Sequence, residues 1–136
     1  MIKGINHIGI AVKNLEESMK KFQTIFSITS FHQETVAEQK VRVASFDLNG
    51  ILIELTAATD DSSPIAKFIE KKGEGIHHIA FESNEIQSDL TKLSQVGIEL
   101  INKTPADGAH DMLIAFLHPK STNGVLMELC QPKNSK

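Results

Sequence analysis

The chain has a single cysteine, Cys130, so no disulfide can close within it, and the sequence suits a reducing compartment. Long apolar runs are also missing. Nothing approaches the roughly 20 apolar residues that a membrane-crossing helix needs. The early run from Ile5 to Val12 is broken by His7 and lacks both a basic flank and a small-residue cleavage site. Neither a membrane span nor a secretory leader is expected, and the expected location is the cytoplasm. Charge of one sign is not in excess either: 14 Lys and Arg stand against 17 Asp and Glu, for a net charge of −3. The basic residues are scattered among acids without forming a stripe, which disfavours nucleic acid and anionic membranes as partners and leaves a small molecule. At 40% hydrophobic and 23% charged, the composition is that of an ordinary folded protein rather than a disordered one. A length of 136 residues suits one domain with one core.

What the chain does have is an internal repeat. Shifted by 71 residues, Ile5 meets Ile76, His7 meets His78, Ile8 meets Ile79, Gly9 meets Ala80 and Ile10 meets Phe81. At the same offset Leu15, Met19, Phe22 and Ile25 meet Ile86, Leu90, Leu93 and Val96. Near the end of each half, the run Gly50 to Leu55 matches Gly124 to Leu129 at an offset of 74. The second half has therefore gained three residues, which fit the turn-forming loop Thr104 to Ala109.

Each half reads strand, helix, then three strands. Asn14 with Glu17 three residues on is a helix-capping pattern, and Leu15, Met19, Phe22 and Ile25 mark one helical face. Gly97 stands where the second helix should end. The expected later strands are about 28–33, 41–48 and 51–57 in the first half, and 98–102, 112–118 and 124–130 in the second. Ser63 and Pro64 open a short linker helix that Gly73 closes. The expectation is a single domain over 1–136. Within it, a βαβββ module over about 1–58 is joined by the linker helix at about 63–73 to a second module at about 75–131.

Strand alternation puts His7 on one face with Gly9 and Ala11, opposite Ile8, Ile10 and Val12, and His78 repeats this with Ala80. Glu54 interrupts Ile51, Ile53 and Leu55, and Glu128 interrupts Val125, Met127 and Leu129, so each acid also lies opposite an apolar row. A lone strand histidine or glutamate is ordinarily structural or solvent-facing. Here both copies keep the same pair on the same parity, which makes His7, Glu54, His78 and Glu128 a candidate metal set. Two imidazoles and two carboxylates suit Co²⁺, Mn²⁺, Ni²⁺ or Zn²⁺ better than Ca²⁺. His77 has the opposite parity and reads as structural, Cys130 as a small apolar filler, and His32 has no partner that the sequence identifies.

These residues resemble the vicinal oxygen chelate superfamily, an α+β fold in which two tandem βαβββ modules form a curved, partly closed mixed sheet around one metal. Three stretches bring the chain nearest to the methylmalonyl-CoA epimerase family. They are Asn6 to Val12; Ile65 to Ile69 leading into Gly73 to Phe81; and Ala115 to Ser121 followed by Gly124 to Leu129. The resemblance implies a metal-dependent epimerase, acting on an acyl-CoA through an enolate, and a homodimer. It also implies His7, His78 and Glu128 as ligands, while the fourth position is Gln in some relatives and Glu54 here. Some relatives carry a catalytic Glu where this chain has Val43, and glycines where it has His110 and Asp111. Proton transfer then falls to Glu128, with Glu54 ahead of His110 for the opposite face, and Lys120 is a candidate for the CoA phosphates. Two rivals share the fold. One is a glyoxalase I-type lactoylglutathione lyase, which uses a His, Glu, His, Glu set but has a different turn where this chain reads His118 to Ser121. The other is a metal-free small-molecule-binding protein, which would have no reason to keep four ligands.

Overall fold

Asn14 starts the first helix, because its side-chain oxygen accepts the backbone N–H of Glu17 at 3.0 Å and so satisfies a donor that the helix cannot. The computed structural model describes residues 1–134. In chain order the elements are β1 (Ile2–Ala11), α1 (Leu15–Phe26), β2 (His32–Val36), β3 (Val41–Leu48), β4 (Ile51–Ala58), α2 (Pro64–Lys72), β5 (Gly75–Ser83), α3 (Ile86–Gln95), β6 (Ala106–Asp107), β7 (Met112–Phe116) and β8 (Met127–Pro132). Each half is therefore βαβββ, with α2 between the halves, and the fold is α+β as expected. The Ser63 hydroxyl accepts from the Ile65 N–H at the start of α2, and Gly73 closes that helix at φ 80°.

Several strands differ from the expected spans. The first-half strand expected at 28–33 is β2 at His32–Val36, paired antiparallel with β3 from His32↔Ser45 to Val36↔Val41. It is an edge strand with little to bury, so its sequence carries no apolar alternation. The strand expected at 98–102 is reduced to one bridge, Leu100↔Leu117. There the N–H groups of Ile101 and Asn102 both go to the Phe116 carbonyl, and the Asn102 side chain accepts the Phe116 N–H at 2.7 Å, so a side chain takes the ladder's place. The two-residue β6 pairs with β7 instead. β7 stops at Phe116, and β8 begins only at Met127, after a turn in which the Val125 N–H returns to the Thr122 carbonyl.

The chain divides into two compact units, one of Ile8–His77 and the other of Met1–His7 with the chain from His78 onward. In the first, β2, β3, β4 and the end of β1 lie side by side. Val12, Leu15, Ala44, Leu55 and Ala57 form its core, with Ile10, Met19, Phe22 and Phe31 packed on them. In the second, the order is the start of β1, then β5, β8, β7 and β6, with β5 and β8 parallel. There Ile86, Leu90, Ala115, Leu117 and Leu129 form the core between α3 and the sheet. On the opposite sheet face, Ala80, Met112, Ile114 and Cys130 cluster with Phe116.

Candidate metal centre

Two imidazoles and one carboxylate meet in the second unit. His7 on β1 and His78 on β5 point their Nε2 atoms at each other, 3.0 Å apart. Glu128 on β8 turns one oxygen to each ring, Oε2 to His7 Nε2 at 3.6 Å and Oε1 to His78 Nε2 at 3.5 Å. All three residues are buried, at 6%, 6% and 3% exposure. The register explains the meeting: Glu128 lies beside Ala80 of β5 and beside Phe116 of β7, and the small Ala80 leaves the space that the acid fills. Phe116 packs edge-on against His78, with ring centroids 5.8 Å apart.

Neighbours fix the tautomer of His7. Its Nδ1 lies 2.8 Å from Asn6 Oδ1, while the amide nitrogen of Asn6 donates to Glu82 at 3.1 Å. Glu82 thus turns the Asn6 oxygen toward His7, which then carries its proton on Nδ1 and leaves an Nε2 lone pair facing inward. Burial, followed by the charge of His110, lowers the pKa of His7 from 6.5 to about 4, so the ring is neutral at pH 7. A neutral imidazole is the form that binds a metal.

The donor set fits a divalent transition ion. Metal–nitrogen and metal–oxygen bonds of about 2.0–2.2 Å, at right or tetrahedral angles, place neighbouring donor atoms about 3.0–3.5 Å apart, close to the spacings found here. A carboxylate facing two imidazoles supplies compensating charge for such an ion.

Glu54 belongs to the other unit. It is buried on β4 opposite Ser45 of β3, on the sheet face away from Leu55, as its parity requires. Burial, then the negative charge of Glu34, raises its pKa from 4.5 to about 7. Val43, opposite Thr56, is buried. His32, for which the sequence suggested no partner, pairs with Glu34 at 2.9 Å.

The remaining candidates have structural surroundings. His77 meets the Phe68 ring edge-on at 4.9 Å. The His118 Nδ1 accepts the Lys120 N–H at 3.1 Å and caps a short turn. Cys130 is buried in the apolar cluster, and its thiol donates to the Phe81 carbonyl at 3.6 Å. Its sulfur also lies within 4.8 Å of donor atoms of His7 and Glu128. The residues that the sequence did not single out are Asn6 and Glu82. Asn6 stands next to a candidate ligand but points its side chain by a contact 76 positions away, so only the folded chain identifies it. Among the described residues, no helix is long and apolar enough to cross a membrane.

Comparison with known proteins identifies the family. The family profile of the Glyoxalase/Bleomycin resistance protein/Dioxygenase superfamily matches residues 6–116. The uncharacterized protein YqjC of Bacillus subtilis is 42% identical over 132 residues, covering 97% of this chain and 94% of the relative. The mitochondrial methylmalonyl-CoA epimerase of Dictyostelium discoideum is 38% identical over 126 residues, covering 92% of this chain and 76% of that protein. Among solved structures, a methylmalonyl-CoA epimerase in complex with methylmalonyl-CoA and NH4+ superposes with a TM-score of 0.95 at 31% identity. That match covers 100% of this chain and 99% of the other.

Proposed function

Because this chain belongs to the glyoxalase/bleomycin resistance protein/dioxygenase superfamily, and to the methylmalonyl-CoA epimerases within it, we propose that it interconverts (2R)- and (2S)-methylmalonyl-CoA. The observation that carries this reading is the buried His7, His78 and Glu128 triad, in a chain alike over nearly its whole length to epimerases. These three residues hold a divalent ion, of the Co²⁺, Mn²⁺, Ni²⁺ or Zn²⁺ class on the chemistry of the donors. Glu54 is proposed as the fourth ligand on the strength of the internal repeat, in which it corresponds to Glu128. When bound, the ion supplies Lewis-acid stabilisation of the negative oxygen that develops on the substrate, worth several kcal/mol.

The protein's own groups do the rest. Epimerisation breaks the C2–H bond between a thioester and a carboxylate and makes a new one on the opposite face, so a proton carrier is needed on each side. Glu128 serves one side: its two oxygens face different imidazoles, so one can hold the ion while the other takes a proton. Glu54 is the carrier for the opposite face that the sequence favours, a duty that competes with ligation. Met112, Ile114 and Phe116 form an apolar cluster on the sheet face that carries Glu128. A cytoplasmic, homodimeric protein is part of the same proposal.

The test is incubation of metal-loaded protein with methylmalonyl-CoA in D₂O, with methylglyoxal plus glutathione as a parallel assay. Deuterium incorporation at C2 with inversion, and no lactoylglutathione, is the expected result. Absence of C2 exchange with every divalent metal tried would overturn the reading.

A further inference from the structure

The apolar cluster on the sheet face of Glu128 has one member with surface to spare. Ala80, Met112, Ile114 and Cys130 are buried, while Phe116 packs on them and stays partly exposed. The sealing of Ile114 has a visible cause: the backbone of Gly108, in the loop between β6 and β7, lies so close over it that a Cβ there would stand 2.7 Å from Cγ2 of Ile114. Phe116 also sits at the proposed donors themselves. It pairs with Glu128 across β7 and β8, and its ring meets the His78 imidazole edge-on, with centroids 5.8 Å apart.

Packing beside a buried strand glutamate does not by itself call for an aromatic ring. In the other copy of the repeat, the residue paired with Glu54 is Ser45, which is small and buried. The duplication thus keeps the acid and its parity while changing the neighbour. The ring stands only beside the acid that faces both imidazoles. A half-buried ring that packs on one proposed donor and pairs with another is positioned to form an apolar wall for whatever the centre binds.

We propose that Phe116 is a specificity-determining residue of the epimerase reaction, its ring bounding the space for the alkyl branch at C2 of the acyl-CoA. The inference rests on the epimerase reading, in which Glu128 exchanges a proton with C2. The alkyl branch is one bond from that carbon, so it has to lie beside the neighbours of Glu128, and it is the only hydrocarbon branch attached there. Phe116 is the apolar surface of that cluster not already covered by protein. When the C2 proton leaves, C2 becomes planar, and the branch lies in that plane while a proton returns from either side. One wall therefore serves both the (2R) and the (2S) form. A branch one methylene longer than methyl has to displace the ring, and a hydrophobic pocket discriminates a difference of that size by about 10–200-fold. The substrates are thus 2-alkylmalonyl thioesters with the shortest branch, methyl preferred over ethyl.

The experiment measures kcat/KM for inversion of methylmalonyl-CoA and of ethylmalonyl-CoA by Co²⁺-loaded wild type, Phe116→Ala, Phe116→Leu and Phe116→Trp, with the Co²⁺ affinity of each protein measured alongside. Wild type should favour the methyl substrate by about 10-fold or more. Phe116→Ala should move the ethyl-to-methyl ratio toward ethyl by about 10-fold or more, Phe116→Leu should move it the same way by less, and Phe116→Trp should move it the other way. Co²⁺ affinity should stay at the wild-type value. A merely structural role would lower both substrates together and leave the ratio where it was. Phe116→Leu keeps an apolar side chain on the cluster, so it decides the matter if the alanine protein fails to fold. A ratio within about twofold of wild type in the smaller variants that fold would overturn the inference while leaving the epimerase reading intact. So would a wild type that inverts both substrates equally well. A wild type that inverts neither overturns both.

Discussion

His7 is oriented by Asn6, and Asn6 by Glu82, so the nitrogen proposed as a ligand is aimed before any ion binds. Asn6→Ala should therefore weaken metal binding by about 10–100-fold with the three donors intact, as removal of such a partner ordinarily does. Titration calorimetry would read this, and an unchanged affinity would contradict the orienting role. His77 permits a prediction free of the metal. Burial lowers its pKa from 6.5 to about 4, so it stays neutral in the folded chain while an unfolded histidine takes up a proton. The stability linked to it is fully present above about pH 6.5 and is lost as pH falls from there toward 4. His77→Phe removes that titration, and its stability in urea should fall less than that of wild type between about pH 7 and pH 5. Parallel losses would place the acid sensitivity elsewhere. Both residues show what the sequence could and could not reveal. Strand parity distinguished His78 from His77 because a backbone rule decides it. The hold of Glu82 on Asn6 depends on a contact that no local pattern encodes.

Elements with a buried face were legible, and elements without one were not. Helix α3 was marked by Ile86, Leu90 and Leu93, and Leu90 is wholly buried against Ala115, Leu117 and Leu129. Leu90→Ala should cost about 2–5 kcal/mol, the usual range for a core leucine, read from denaturant unfolding. A cost under about 1 kcal/mol would mean that the helix does not seal this core. Asn14→Ala, which removes only the cap of α1, should cost about 1 kcal/mol. β3 and β4 were placed well because their apolar residues line the core. β2 was misplaced because His32 to Val36 is polar and lies at the sheet edge. The 98–102 segment has strand-like residues, but Asn102 diverts its ladder through a side chain.

For the molecule as a whole, the repeat marked both modules and the residues proposed to bear the chemistry, because duplication places corresponding side chains on corresponding faces. Of the four ligands that the sequence proposed as one set, the structure shows three meeting within one unit. It could not show that the loop before β7 would be drawn onto the triad's sheet face, because that depends on the close approach of Gly108 to Ile114. The central claim is that one divalent ion, held by His7, His78 and Glu128, is required for epimerisation. The most direct test is to titrate metal-free protein with Co²⁺ while following both the cobalt absorption and the rate of methylmalonyl-CoA inversion. Both signals should rise together and stop at one equivalent, and His78→Ala should abolish both. Full inversion by the metal-free protein, or by His78→Ala, would contradict the claim.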